Sequence, residues 1–206
     1  MRIIAYENGP FMVNTYLVVN EETSGAFIID PGSDIIPLLD RIERDGMRLE
    51  GIVNTHGHID HVAGVNLIKK RFKVPFYLNA GDKDMLASVS AQARMFGVAD
   101  PGPIALDVPL PESGTVTVAG ITLGVLHTPG HSKGSLSFLA GDTVFTGDAL
   151  FNFSIGRTDL PGGNHAELIE SIQSRLFALP DTVKVLCGHG PATDIGTEKR
   201  LNPFFN

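Results

Sequence analysis

Residues 54–64 read Asn-Thr-His-Gly-His-Ile-Asp-His-Val-Ala-Gly and put His56, His58, Asp60 and His61 within six positions. The stretch follows the apolar pair Ile52-Val53 and precedes a helix-like pattern, so the chain must turn from strand to helix around four potential ligands. Extended residues two apart point to the same side, which lets His56 and His58 converge on one ion at a strand end. Asp60 and His61 follow across a turn and at a helix start, aimed at a neighbouring point, so two adjacent ions are implied. Imidazole and carboxylate suit zinc, and also iron or manganese. A His-rich surface loop is the plain alternative, but Gly57 and Gly64 favour a shaped loop.

An ion pair needs more donors than one segment offers, and three more occur in similar settings. His131 lies in His-Thr-Pro-Gly-His-Ser-Lys-Gly-Ser, a Pro-Gly turn closing the run from Ile121 to Leu126. Asp148 follows Phe-Thr-Gly after the short apolar run 143–146, and His189 lies in Val-Leu-Cys-Gly-His-Gly-Pro after the run 183–186. All three are expected at strand ends beside glycine.

Five ordered elements, Asp30-Pro31-Gly32, His56-x-His58-x-Asp60-His61, the Pro-Gly-His131 turn, Gly-Asp148 and Gly-His189-Gly, give the chain its likeness to a known group. In these it resembles the metallo-β-lactamase superfamily of metal hydrolases along nearly its whole length. The resemblance implies an α/β fold, the four-layer αββα sandwich. It makes His56, His58 and His131 ligands of a first metal and Asp60, His61 and His189 ligands of a second, with Asp148 bridging. Two divalent ions follow, zinc first, with iron or manganese as alternatives. Asp60 would also be the catalytic residue that orients the attacking water. Asp30 is either a simple turn residue or, as the resemblance suggests, a support for the metal loop through its carboxylate.

With 206 residues and 43% hydrophobic content the chain reads as one globular domain, able to bury about 70% of its unfolded surface. The single cysteine, Cys187, excludes an internal disulfide and reads as a buried small hydrophobe. The N-terminus shows no charged region followed by a long apolar run, so a cytoplasmic location is expected. A net charge of −7 argues against nucleic-acid binding, since no basic stripe exists to release counterions. No apolar stretch is long enough to span a bilayer. A small anionic substrate fits if basic residues stand locally at the site. Nothing in the sequence bears on oligomeric state.

In chain order, strands are expected at 2–6, 11–19 and 26–29. Ser33 is the expected N-cap of a helix carrying the stripe Ile35, Leu38, Leu39 and Ile42, stopped by Gly46. Val62, Val65, Ile68 and Phe72 outline a second helix, and 74–78 another strand, a layered α/β order. Residues 82–106 are the least regular; a helix and a loop are expected, with Met95 and Phe96 on a pocket wall. From Thr115 the pattern alternates with period two around an Ala119-Gly120 hairpin. His127 reads as structural or as a support of the ligands, because the ligand set is complete without it. His165 opens a helix after Asn164, with Glu167 at the capping-box position and Leu168, Ile172 and Leu176 as its buried face.

The segment Gly156-Arg157-Thr158-Asp159-Leu160-Pro161-Gly162-Gly163-Asn164, with His189-Gly-Pro-Ala-Thr and Asn202-Pro-Phe, is similar to the compact glyoxalase II-like hydrolases. That likeness implies cleavage of a small-molecule thioester, such as the glutathione thioester S-lactoylglutathione, by water activated between the ions. It also implies a chain without the helical C-terminal domain that supplies part of the glutathione contact in full-length glyoxalase II. Pro191 stands where that enzyme has a tyrosine. Arg157 matches a basic glutathione-binding position, and Lys133 is a second local cation. The overlapping segment Ser154-Ile155-Gly156-Arg157-Thr158-Asp159 also resembles persulfide dioxygenases, which use one iron held by the equivalents of His56, His131 and Asp148. A lactonase, a true β-lactamase and a metal-binding protein without catalysis are the remaining alternatives.

Overall fold

A computed structural model describes residues 1–205. The chain opens with β1 (Arg2–Asn8), β2 (Val13–Val19) and β3 (Gly25–Ile29). Helix α1 (Ile36–Arg44) leads to β4 (Arg48–Val53), and α2 (Ile59–Val62) and α3 (Val65–Phe72) lead to β5 (Phe76–Asn79). After α4 (Lys83–Ala87) and α5 (Val89–Phe96), β6 (Val108–Leu110) completes a sheet in the order β1-β2-β3-β4-β5-β6. Its first three strands pair antiparallel, and β3 through β6 pair parallel.

The second half contributes β7 (Ser113–Val118), β8 (Ile121–His127), β9 (Leu136–Ala140) and β10 (Thr143–Gly147). A small hairpin of β11 (Leu150–Phe151) and β12 (Ser154–Ile155) precedes α6 (His165–Ser171), β13 (Lys184–Cys187), β14 (Thr193–Asp194) and α7 (Ile195–Leu201). The second sheet runs β14-β13-β10-β9-β8-β7, with β10 and β13 parallel.

Period-two alternation sorts the strand residues into layers. In β3, Ala26 and Ile28 face a core with Leu38, Leu39 and Ile42 of α1 and Val65 and Ile68 of α3. Phe27 and Ile29 face the opposite way, into a second core with Leu123, Phe138 and Phe145 of the other sheet. A third core packs Val144 and Val185 against Leu168, Ile172 and Leu176. Three cores separate four layers, the αββα sandwich.

Several boundaries differ from the sequence expectation. Ser33 does not cap α1: Ile35 holds the N-cap position without a side-chain bond, and a proline in the first turn starts the helix. Gly46 ends it as expected, at a φ of +67°, with the Met47 N–H donating to the Ile42 carbonyl. The expected helix around 62–72 is broken before Val65, because the Gly64 N–H turns to the Pro31 carbonyl (3.0 Å). A Cβ at Gly64 would stand 2.6 Å from the Gly32 carbonyl oxygen, so only glycine fits this crossing. Residues 82–106 hold two helices rather than one, followed by the loop. No helix among the described residues is long and apolar enough to cross a membrane.

Candidate metal centre

Backbone topology delivers the donors. β3, β4 and β5 run parallel in one sheet and β10 and β13 in the other, and the loops beyond their carboxyl ends carry Asp30, His56–His61, Asp82, Asp148 and His189. Loops at that edge are where open α/β sheets place ligands. His131 comes from the turn between β8 and β9. β4 stops at Val53, so His56 and His58 lie off the strand, in an extended loop that ends with His58 at the N-cap of α2.

Two donor sets form. His56, His58 and His131 make one, and Asp60, His61 and His189 the other. In the first, His131 Nε2 lies 3.2 Å from His56 Nε2 and 2.8 Å from His58 Nδ1. In the second, Asp60 Oδ2 lies 3.2 Å from His189 Nε2 and 3.6 Å from His61 Nε2. Asp148 stands between them, with Oδ1 3.3 Å from His61 Nε2 and Oδ2 3.6 Å from both His131 Nε2 and His189 Nε2. Donors around a tetrahedral zinc with bonds of about 2.0–2.1 Å are roughly 3.3 Å apart, so this spacing fits such ions.

Tautomers argue the same way. His131 Nδ1 faces the Arg157 carbonyl (2.8 Å), His189 Nδ1 the Phe11 carbonyl (3.0 Å), and His61 Nδ1 the Asp30 Oδ2 (3.0 Å). Each of these acceptors requires a proton on Nδ1, which leaves Nε2 to the centre. His56 Nδ1 meets Thr55 Oγ1 (2.9 Å), whose own proton goes to Asp30 Oδ2 (2.6 Å). Lone pairs that converge this closely repel unless a cation lies among them. His61 Nε2 and Asp148 Oδ1 are buried without a hydrogen-bond partner, and they face each other across the centre. The residues fit a pair of divalent metals.

Electrostatics separates the two sets. Burial, then His61 and His131, holds His56 well below its ordinary value, and burial with His131 pushes His58 down to about 4. Burial also opposes charge on His61, yet Asp148, Asp60 and Asp30 outweigh it and raise this group well above the usual histidine range. His189 is raised too, its bond to Asp60 overcoming burial. Burial works against ionised Asp148 and Asp60, but His61 chiefly holds both below the ordinary carboxylate value.

Asp30 is close enough to His56 and His61 to count as a donor. Its oxygens are already taken by the Thr55 N–H (2.8 Å), Thr55 Oγ1 and His61 Nδ1, so it positions the loop and does not ligate. His127 Nε2 meets the Lys133 carbonyl at 3.0 Å and so braces the loop that carries His131. Lys133 lines a cavity beside His58. The Arg157 guanidinium is exposed and paired with Asp159 (2.7 Å), while its carbonyl holds His131. His165 is exposed at the start of α6, where Asn164 caps the helix by accepting from the Glu167 N–H (3.2 Å). Cys187 is buried and its thiol is pushed up to about 12 by burial, an inert group.

Three supports were not visible in the sequence. Asp82 accepts from the Gly57 N–H (2.9 Å), Ser132 Oγ (2.7 Å) and the Gly134 N–H (2.7 Å), tying the His56–His58 loop to the His131 loop. Asn14 and Tyr16 of β2 reach across the sandwich to the Cys187 carbonyl, at 3.1 and 2.6 Å, and Asn14 also holds the Gly190 carbonyl (2.8 Å). Together they fix both sides of His189.

Two cavities flank the centre. One of about 470 Å³ opens beside His58 against Met85, Gln92, Met95, Phe96 and Leu160. The other, about 280 Å³, lies beside Asp60 against Asn8, Phe11 and Val98. Phe11 and Phe96 meet edge to face between them, ring centroids 5.6 Å apart. Met95 and Phe96 thus occupy the pocket wall expected of them.

A family model described as the metallo-beta-lactamase superfamily matches residues 8–189. Hydroxyacylglutathione hydrolase GloC of Haemophilus influenzae is 38% identical over 205 residues, covering 95% of this chain and 94% of that protein. Among solved structures, BLEG-1 B3 metallo-beta-lactamase is similar at a TM-score of 0.90 and 35% identity, with 100% of each chain covered. TTHA1623, solved in a di-iron-bound form, is similar at 0.89 and 38%, covering 98% of this chain and 99% of that one. Matched along most of its length in sequence, and in its layered fold throughout, the chain belongs to the metallo-β-lactamase superfamily.

Proposed function

We propose that the chain is a dinuclear metal-dependent hydrolase acting on a thioester, with glutathione thioesters such as S-lactoylglutathione as the substrate class. The observation that carries this reading is the pair of three-residue donor sets with Asp148 between them. The 38% identity to a protein named hydroxyacylglutathione hydrolase supports the choice of thioester.

Two divalent cations, with zinc the first expectation, would be held by His56, His58 and His131 and by Asp60, His61 and His189, and supply Lewis acidity and a water whose pKa falls from about 15.7 toward 7. Asp148 keeps the two sets at one spacing. Asp60 lies on the wall of the smaller cavity, where its carboxylate can accept the proton of an attacking water and hold it in line. A thiolate leaves without prior protonation, so the chain has no need of a strong general acid. Lys133, exposed among the described residues that line the larger cavity, can meet an anionic thiol carrier lying outside that cavity. Arg157 can do so only by giving up Asp159.

Elemental analysis of the purified protein, paired with an S-lactoylglutathione assay in air and under anaerobic conditions, tests the reading. Two metals per chain with oxygen-independent release of glutathione is the expected result. One iron, consumption of dioxygen and no thioester cleavage would replace it with sulfur oxidation. Asp60→Ala is expected to lower turnover by about a hundredfold or more while the fold persists by circular dichroism; wild-type turnover in that variant removes Asp60 from its role.

A further inference from the structure

The cavity beside His58 is larger than a lactoyl group needs and poorly suited to a charged one. At about 470 Å³ it lies within the range of pockets that enclose a whole small ligand. Its walls carry Met85, Met95, Phe96 and Leu160, against a single cation, Lys133. Asp82 has its oxygens committed to Gly57, Ser132 and Gly134, and Asp84 adds another negative charge. Met95 is 73% exposed and Phe96 36%, so the open edge of the cavity is apolar as well. Exposed apolar side chains grouped around a concavity mark a binding surface, and methionine adapts to irregular chains. His58, one of the first donor set, is part of the same wall, so the cavity adjoins the candidate metal centre and can take a group attached to one that reacts there.

We propose that this cavity holds the acyl chain of the substrate, and that the chain is apolar and longer than a three-carbon hydroxyacyl group. The assignment rests on the thioesterase reading above. Of the two halves of a thioester, the thiol carrier, glutathione included, is polar and charged, and the acyl group is the half that can be hydrocarbon. Phe96 and Met95 are then determinants of specificity.

The test uses the metal-loaded protein and the glutathione thioesters of acetate, lactate, butanoate and hexanoate. The expected result is a kcat/KM that rises about three- to fourfold per added methylene from acetyl to hexanoyl, with lactoyl near acetyl. Ala91 lines the cavity from the exposed face of α5. Ala91→Trp is expected to fill the space and lower the hexanoyl-to-acetyl ratio of kcat/KM at least tenfold. Calorimetric titration with hexanoate and with acetate gives a reading independent of turnover: hexanoate binds the wild-type protein more tightly, and the difference is lost in Ala91→Trp. Cleavage of all four thioesters with a flat dependence on chain length overturns the acyl assignment and leaves the thioesterase reading standing. Cleavage of none, with hexanoate still preferred, sinks the thioesterase reading and keeps the cavity as an apolar-chain site. Equal binding of the two carboxylates in that case overturns both.

Discussion

One carboxylate, Asp82, holds two candidate ligand loops in register, and its removal leaves the Gly57 and Gly134 N–H groups without an acceptor, Ser132 Oγ keeping Ser135 Oγ. Each such group costs about 1–3 kcal/mol. Asp82→Ala is therefore expected to lower the unfolding free energy by about 2 kcal/mol or more in urea, and an unchanged midpoint would show that the loops stand without it. Asp30 works through His61 and Thr55, at a φ of +51° that few residues other than Gly, Asn and Asp tolerate. Asp30→Asn removes the charge that orients His61, and losses of this kind weaken metal binding by about 10–100-fold; competition with a chelator reads the change directly. Gly188 has no room for a side chain. A Cβ there would overlap Asp148 Oδ1 and stand 2.8 Å from His61 Cε1, so Gly188→Ala should shed the second ion while the sheets remain folded.

At the scale of elements, β2 acts as a strap between the sheets. It pairs with β1 and β3 in its own sheet, and Asn14 and Tyr16 reach Cys187, the last residue of β13 in the other. The Asn14 N–H also donates to the Gly188 carbonyl (2.7 Å). Asn14→Ala frees the Gly190 carbonyl from its side-chain donor and leaves the Cys187 carbonyl to Tyr16 alone, so an ion in the set that His189 is proposed to complete should be lost about tenfold more readily than one in the other set. Equal loss of both ions would show that the strap is not selective. The ligand loops need this anchoring because they leave the sheets at strand ends, where backbone pairing stops.

Across the whole molecule, the two donor sets differ in what a metal must displace. His56 lies well below its ordinary value and His58 near 4, so at neutral pH both offer lone pairs without losing a proton. His61 and His189 are raised by the aspartates around them, so a metal entering the second set competes with protons there. The sign follows: affinity for an ion in the second set rises with pH and falls as His61 becomes protonated. Zinc titration at pH 6 and pH 8, in buffers of different ionisation heat, should show proton release as the second set fills. Bound metal also stabilises the fold by mass action, about 2.7 kcal/mol at a hundred times Kd, so chelation should lower Tm measurably.

The donors were legible because metal chemistry is written locally. His-x-His-x-Asp-His, with a glycine beside each later candidate and an apolar run before it, states the donor types and brings them beyond the strand ends, although His56 and His58 lie off β4 and His131 in a turn after β8. The layered fold was legible from period-two and helical stripes, since alternation in β3 alone sends Ile28 and Phe27 to different cores. What the sequence could not disclose were the groups that hold the donors in place. Asp82 sits in an Ala-Gly-Asp-Lys-Asp run that reads as an ordinary helix start, and its partners lie 25 to 52 residues away. Asn14 and Tyr16 look like strand residues, and they meet Cys187 from more than 170 residues away. A side chain's chemistry is its own, so the sequence by itself determines which residues can bind a metal. A hydrogen bond needs two groups brought within about 3 Å, and only the packing of one sheet on the other decides which groups those are.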